Sequence, residues 1–173
     1  MPKEISKSDL RANAAYLVRG KVAYSHISRQ TTDAERARAN AKRKYPIDKN
    51  YTFITLHGAT VLCKDPQAPT VEERYAAECL YQDTNPKHPG LNFSAIDKSC
   101  FLPSVFVKVP GTENSYAPVK LEGELDVGLD VTLVMRVFSA RGTNGVTLDR
   151  VLVNEPLRYY DEGKFTVPDA PVT

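Results

Sequence analysis

The three histidines, His26, His57 and His88, stand far apart in the chain. None makes an HxH, HExxH or HxE pattern, the spacings that bring two metal ligands, or a ligand and a base, together. No GxSxG turn raises a serine nucleophile, and no GxxxxGK[ST] loop is present to cradle phosphates. The carboxylates are scattered: Glu72-Glu73 open a helix, and Glu122 and Glu124 flank a glycine. Acids distant in sequence can still meet around a metal ion, as in nucleases, which keeps a metal-dependent nuclease as the third reading. The three cysteines, Cys63, Cys79 and Cys100, are odd in number and form no CxxC pair, as expected of reduced thiols in a cytoplasmic protein. The residues thus predict no enzyme, no metal and no cofactor.

A different chemistry is carried by the aromatics and the cations between them. Single-stranded nucleic acid is held by flat rings that stack on bases and by cations that follow the backbone. Tyr51, Phe53 and His57 share the outward face of one expected strand. Phe106 and Lys108 share that of a second, and Arg136 and Phe138 that of a third. Further cations sit near turns: Arg29 after the first strand, Lys42, Arg43 and Lys44 at the end of a basic stretch, and Arg141 in a glycine-containing loop. The competing reading buries the same aromatics under helical insertions as a second core. Each cation, taken singly, equally suits a solvated surface.

These side chains need a scaffold, and the chain has length for one domain: 173 residues, 42% hydrophobic and 25% charged. No stretch is long and apolar enough to span a membrane, and MPKEISKSDLRANAAYL lacks the apolar core of a secretory signal. The net charge of +2 disfavours a histone-like duplex binder but suits a single-strand binder, in which stacking supplies part of the affinity.

Capping and periodicity predict a helix over Lys7–Leu17 behind Ser6, and strands at Lys21–Ile27 and Tyr51–Cys63, the latter bent at Gly58. Helices are predicted at Thr32–Tyr45, with a Thr32/Glu35 capping box, and from Thr70 to Tyr81, with a Thr70/Glu73 box. Gln82–Cys100 reads as a turn-rich insertion. Strands follow at Phe101–Val109 and Tyr116–Leu125. A closing hairpin, Asp130–Ser139 and Val146–Asn154, turns through ARGTNG and carries a bulge near Asp149 or Arg150.

The resulting expectation is a mainly β chain with helical insertions (α+β), a five-stranded Greek-key OB-type barrel. It divides into an N-terminal helix or arm (1–19), the barrel (20–160, with insertions at 30–49 and 65–100) and a flexible C-terminal tail (161–173). The arm either docks on its own domain or reaches a second subunit as a route to a homo-oligomer.

The closing segment, EGELDVGLDVTLVMRVFSARGTNGVTLDRVLVNEPLRYY, resembles the fourth and fifth strands of bacterial single-stranded DNA-binding proteins. There an L-x-x-G-x-x-V approach leads into an apolar strand ending in Arg, a loop with Gly and a valine-rich return. Leu125, Gly128, Val131, Arg136, Gly145, Val151 and Val153 carry the likeness. More narrowly, the chain is similar to the single-stranded DNA-binding proteins encoded on conjugative plasmids and related mobile elements of Gram-positive bacteria. Ile5-Ser6-Lys7 with Leu10-Arg11-Ala12-Asn13, the run Ala68–Glu73, and the hairpin through Asn154-Glu155-Pro156 carry that likeness.

The resemblance implies an OB fold, cytoplasmic DNA binding with little sequence preference, self-association and no cofactor. It departs at VPDAPVT, where housekeeping relatives end in an acidic tail with an apolar tip, so recruitment of replication proteins through such a tail is not expected. Residues and resemblance together predict a non-sequence-specific binder of single-stranded DNA, with duplex DNA as a further partner, acting in conjugative transfer or replication of a mobile element. An OB-type protein-interaction module is the alternative.

Overall fold

The alternation of apolar residues predicted along the chain survives as a single curved sheet. The computed structural model describes residues 4–99 and 101–161. It is mostly β, with two short helices, α1 (Asp33–Asn40) and α2 (Val71–Cys79). The strands are β1 (Ala15–His26), β2 (Thr52–Leu62), β3 (Tyr81–Gln82), β4 (Leu91–Asp97), β5 (Ser104–Lys108), β6 (Tyr116–Val119), β7 (Asp130–Ala140) and β8 (Thr143–Val153). They form one eight-stranded sheet in the order β3-β4-β2-β1-β7-β8-β5-β6. Its neighbours pair antiparallel except β5 and β8, which are parallel.

The inward rows make one core: Val18 and Val22 from β1, Ile54 and Leu56 from β2, Phe93 and Ala95 from β4, Leu133 and Met135 from β7, Val151 and Val153 from β8. Each side chain of this kind contributes about 1.5–3 kcal/mol on burial. Two glycines shape the sheet. Gly58 takes φ +59 at the β1–β2 irregularity, as the predicted bend requires. Gly20 lies within β1, where a Cβ would stand 2.9 Å from the His57 carbonyl oxygen, so β1 can cross β2 this closely only without a side chain there. The predicted hairpin bulge is present too: Val134 pairs with Arg150 and Met135 with Leu148, leaving Asp149 unpaired.

The expected closed five-stranded barrel is replaced by an open eight-stranded sheet. Among the described residues no ladder joins β4 to β8. One side chain bridges them instead: the buried Asp97 carboxylate accepts from Thr147 Oγ1 at 2.6 Å and from the Leu148 backbone N at 3.1 Å. The other half of the β8 edge, Arg150–Val153, is taken by β5. The outer edge of β6 is protected by Pro118, which offers no N–H to a further strand.

Three local expectations are corrected. The helix over Lys7–Leu17 is a single 3-10 turn, Lys7–Asp9, followed by a reversal at Asn13 (φ 69) and then β1. Burying Tyr16 and Val18 in the sheet outweighs the helical preference of the Ala-rich stretch. The basic helix ends at Asn40, well before Pro46, because the Asn40 side chain bonds both the N and the O of Ile47 and folds the chain back. The stretch Gln82–Cys100 is no mere insertion: it contains β4, which pairs with the middle of the sheet through β2.

The N-terminal segment is fastened to its own chain. The fully buried Glu72 of α2 accepts from the Arg11 backbone N at 2.8 Å and pairs with its guanidinium. Glu78 accepts from the backbone N of Glu4 and of Ile5, both at 2.9 Å. Cys63 and Cys79 are in no disulfide among the described residues. Cys100 and positions 162–173 of the predicted tail lie outside the described residues. No helix is long and apolar enough to cross a membrane among the described residues.

Candidate nucleic-acid interface

Strand register decides which outward side chains become neighbours. Across β1, β2 and β4, one row runs His26–Phe53–Ile96 and the next runs Tyr24–Thr55–Ser94. The His26 and Phe53 rings are stacked 5.5 Å apart at 22°. Ser94 is fixed by the hydroxyls of Thr55 at 2.9 Å and Tyr81 at 2.5 Å. Ile96 remains 45% exposed.

From Ile96 the surface drops into a groove of about 740 Å³ along the seam between β4 and the β7–β8 hairpin. Ile96 lines one side, and Phe138, also 45% exposed, lines the other. Phe138 pairs in register with Gly145, and its ring lies across that glycine, where any side chain would collide with it. This fixes one face of the ring and leaves the other toward the groove. Lys7, Lys49 and Lys98 line the same groove, from the N-terminal turn, the α1–β2 connection and the end of β4. Lys98 stands 3.6 Å from the exposed Asp48, whereas Lys7 and Lys49 make no ion pair among the described residues. The Asp97 carboxylate beneath is committed to the seam. An apolar slot with one aromatic ring and a lysine rim can stack a base and neutralise phosphates.

The predicted site residues fall into separate places. Phe53 and Phe138 lie on this continuous surface. Arg141 is exposed at the hairpin tip, where the two-residue turn Arg141-Gly142 has φ +54 and +77; the turn is Arg-Gly, not the later Asn-Gly. His57 is covered: His88 stacks on it at 5.6 Å and 16°. Tyr51 does not face outward at all. It is buried, its hydroxyl accepts from Arg43 Nη1 at 2.9 Å, and the guanidinium lies 5.1 Å above the ring. Arg43 therefore docks the α1 region onto the sheet.

Arg29 forms a two-pronged pair with Glu35, at 2.9 and 3.2 Å. That pairing, with the Thr32 backbone N–H, holds the Glu35 carboxyl well below the usual carboxylate range. Arg136 clamps Asp149 at 3.3 Å and donates to the Asn13 carbonyl at 3.0 Å. Phe106 and Lys108 sit on β5, away from the seam, with Arg150 above Phe106 and Lys108 above Tyr116. Lys42 and Lys44 are exposed beyond α1, the latter over Tyr45.

Sequence reasoning missed Ile96, whose signal was the alternation in LNFSAID. It also missed Lys7, Lys49 and Lys98, single lysines in three unrelated connections that carry no local signal. Among the described residues no group of three or more His, Cys, Asp or Glu side chains is placed to hold a metal ion.

No family model matches the chain, and no curated protein matches it by sequence. Among solved structures it is similar to the single-stranded DNA-binding protein from bacteriophage Enc34, with 16% identity, 88% of each chain covered and a TM-score of 0.45. The same phage protein in complex with ssDNA gives 14% identity over 84% of this chain and 89% of that one, with a TM-score of 0.45. Its C-terminal truncation gives 15% identity over 83% and 88%, with a TM-score of 0.44. At likenesses of this depth, what the site can do rests on its own residues.

Proposed function

We propose that this chain binds single-stranded DNA with little sequence preference, along the outer face of β1, β2 and β4 and into the lysine-rimmed groove at the β4–β8 seam. The observation that carries the reading is the meeting of Phe138 and Ile96 with Lys7, Lys49 and Lys98 in one open slot. Phe138 and Phe53 stack bases. The three lysines pair phosphates, and Arg141 adds a cation at the hairpin tip. Thr147 and Asp97 of the slot are bonded to each other, and binding by stacking and phosphate pairing is tolerant of sequence.

In this reading β1, β2, β4, β7 and β8 are the five strands of an OB-type Greek key. The β5–β6 ribbon is seated on the β8 edge, and the Asp97 bridge stands where the last ladder would close. The likeness of the N-terminal segment and closing hairpin to proteins of conjugative elements supports a task in coating single strands during transfer or replication of mobile DNA.

Fluorescence anisotropy of labelled single- and double-stranded oligonucleotides at two salt concentrations tests the proposal. Tight, salt-weakened binding of the single strand is expected, with log K falling by about 0.7 per log salt for each phosphate neutralised. Absence of binding to either form at low salt would sink it.

A further inference from the structure

A second cleft, of about 500 Å³, continues the same surface beyond Phe53. Its base is the parallel pair His26 and Phe53. Tyr24, 54% exposed, and Tyr160 border it, and the loop after β3 supplies His88 and Lys87. That loop wall is firmly set. His88 Nδ1 stands 2.7 Å from Asp83 Oδ2, its ring meets Tyr24 edge-on at 5.3 Å and 90°, and His57 stacks behind it. Asp83 is itself held below its ordinary range by that imidazole, so the carboxylate is spent on positioning the wall. Among the described residues no carboxylate lines the cleft, and Lys87 is its one lysine or arginine.

We infer that this cleft takes one nucleobase of the bound strand, turned out of the row that stacks on Phe53, with Lys87 at the adjoining phosphate. The inference rests on the single-strand reading above and deepens it. Three features select a base as the occupant. The lining is aromatic on several sides, which matches a flat π-system better than an aliphatic side chain. The rim charge is positive, which suits the phosphate that accompanies every base. The Phe53–Ile96 row connects the cleft to the lysine groove without leaving the sheet face.

Two polar groups of the lining are engaged: Ser25 Oγ donates to Glu124 at 3.2 Å, and Asn85 Oδ1 accepts from the Lys87 backbone N at 2.9 Å.

Photo-crosslinking of the full chain to an oligothymidine carrying 5-iododeoxyuridine, mapped by mass spectrometry, tests this. Crosslinks at Tyr24 or Tyr160 in addition to Phe138 are expected. Tyr24→Ala and Lys87→Ala are expected to remove them and weaken binding about tenfold and about threefold, within the range for one stacked base and one phosphate contact. Crosslinks confined to Phe138, with affinity unchanged by both substitutions, overturn the cleft and leave the groove reading standing. No binding of the oligonucleotide overturns both.

Discussion

Between Asp33 and Lys44 the cations Arg36, Arg38, Lys42, Arg43 and Lys44 follow one another along α1 and the segment just after it, whereas around the β4–β8 seam Lys7, Lys49 and Lys98 arrive from three separate segments. Two arginines of the dense cluster are consumed by structure. Arg36 pairs with Asp33 and bonds the Asp48 carbonyl, and Arg43 docks on Tyr51. Nearby, Arg29 is neutralised by Glu35. The dispersed lysines line an apolar slot, and Lys7 and Lys49 make no ion pair among the described residues. A helix poor in apolar residues must be held by its polar ones, so a basic run of this kind spends its charge on its own attachment.

The contrast predicts where DNA affinity will and will not be lost. The largest effect belongs to Lys7→Ala, Lys49→Ala and Lys98→Ala combined. It should reduce the slope of log K against log salt by about 2 and weaken single-strand binding by one to two orders of magnitude, roughly, at low salt. Anisotropy titrations across salt read both quantities. Next comes Phe138→Ala, expected to cost about tenfold in affinity, in keeping with one lost stacking platform. Phe106→Ala, an equally aromatic change on β5, should leave affinity within about twofold.

Tyr51→Phe should separate stability from binding. It removes the hydrogen bond to Arg43 and should cost about 1–2 kcal/mol in urea unfolding, with oligonucleotide affinity unchanged. A loss of affinity without loss of stability would return Tyr51 to the binding surface.

The smallest effects concern the basic stretch itself. Lys42→Ala with Lys44→Ala should change affinity by less than about twofold, since neither lies at the seam. Glu35 gives a pH test of the attached cluster. Its carboxyl sits below its free value of 4.5 because Arg29 favours the charged form. The stability it contributes is fully present above pH 4.5 and is lost as pH falls through the lower folded value. Melting temperatures of the wild type and Glu35→Gln should therefore differ most above that pH and converge below it. A constant difference across the range would place the Arg29–Glu35 pair outside the folding equilibrium.

The strands that alternate cleanly, and the capping boxes at Thr32 and Thr70, could be read directly, because both are local: a period of two and a three-residue side-chain bond need no distant partner. So could the bulge at Asp149, since an apolar row that changes phase leaves its mark in one strand. Phe53 and Phe138 were legible as outward aromatics for the same reason. Tyr51 was not, because alternation assigns a face without saying what covers it, and Arg43 arrives from another element.

The first strand differs from the expected helix because Ala and Arg favour a helix locally while β7 claims Tyr16 and both β2 and β7 claim Val18. By itself the amino-acid sequence determined a β-rich chain, its caps and bulge, and the outward rings. Only the tertiary structure decided that the sheet stays open at Asp97 and that lysines from three connections meet there. Those outcomes depend on contacts between distant residues, such as Asp97 with Leu148, 51 positions apart, and Lys7 with Asn144, 137 apart, which no local pattern encodes.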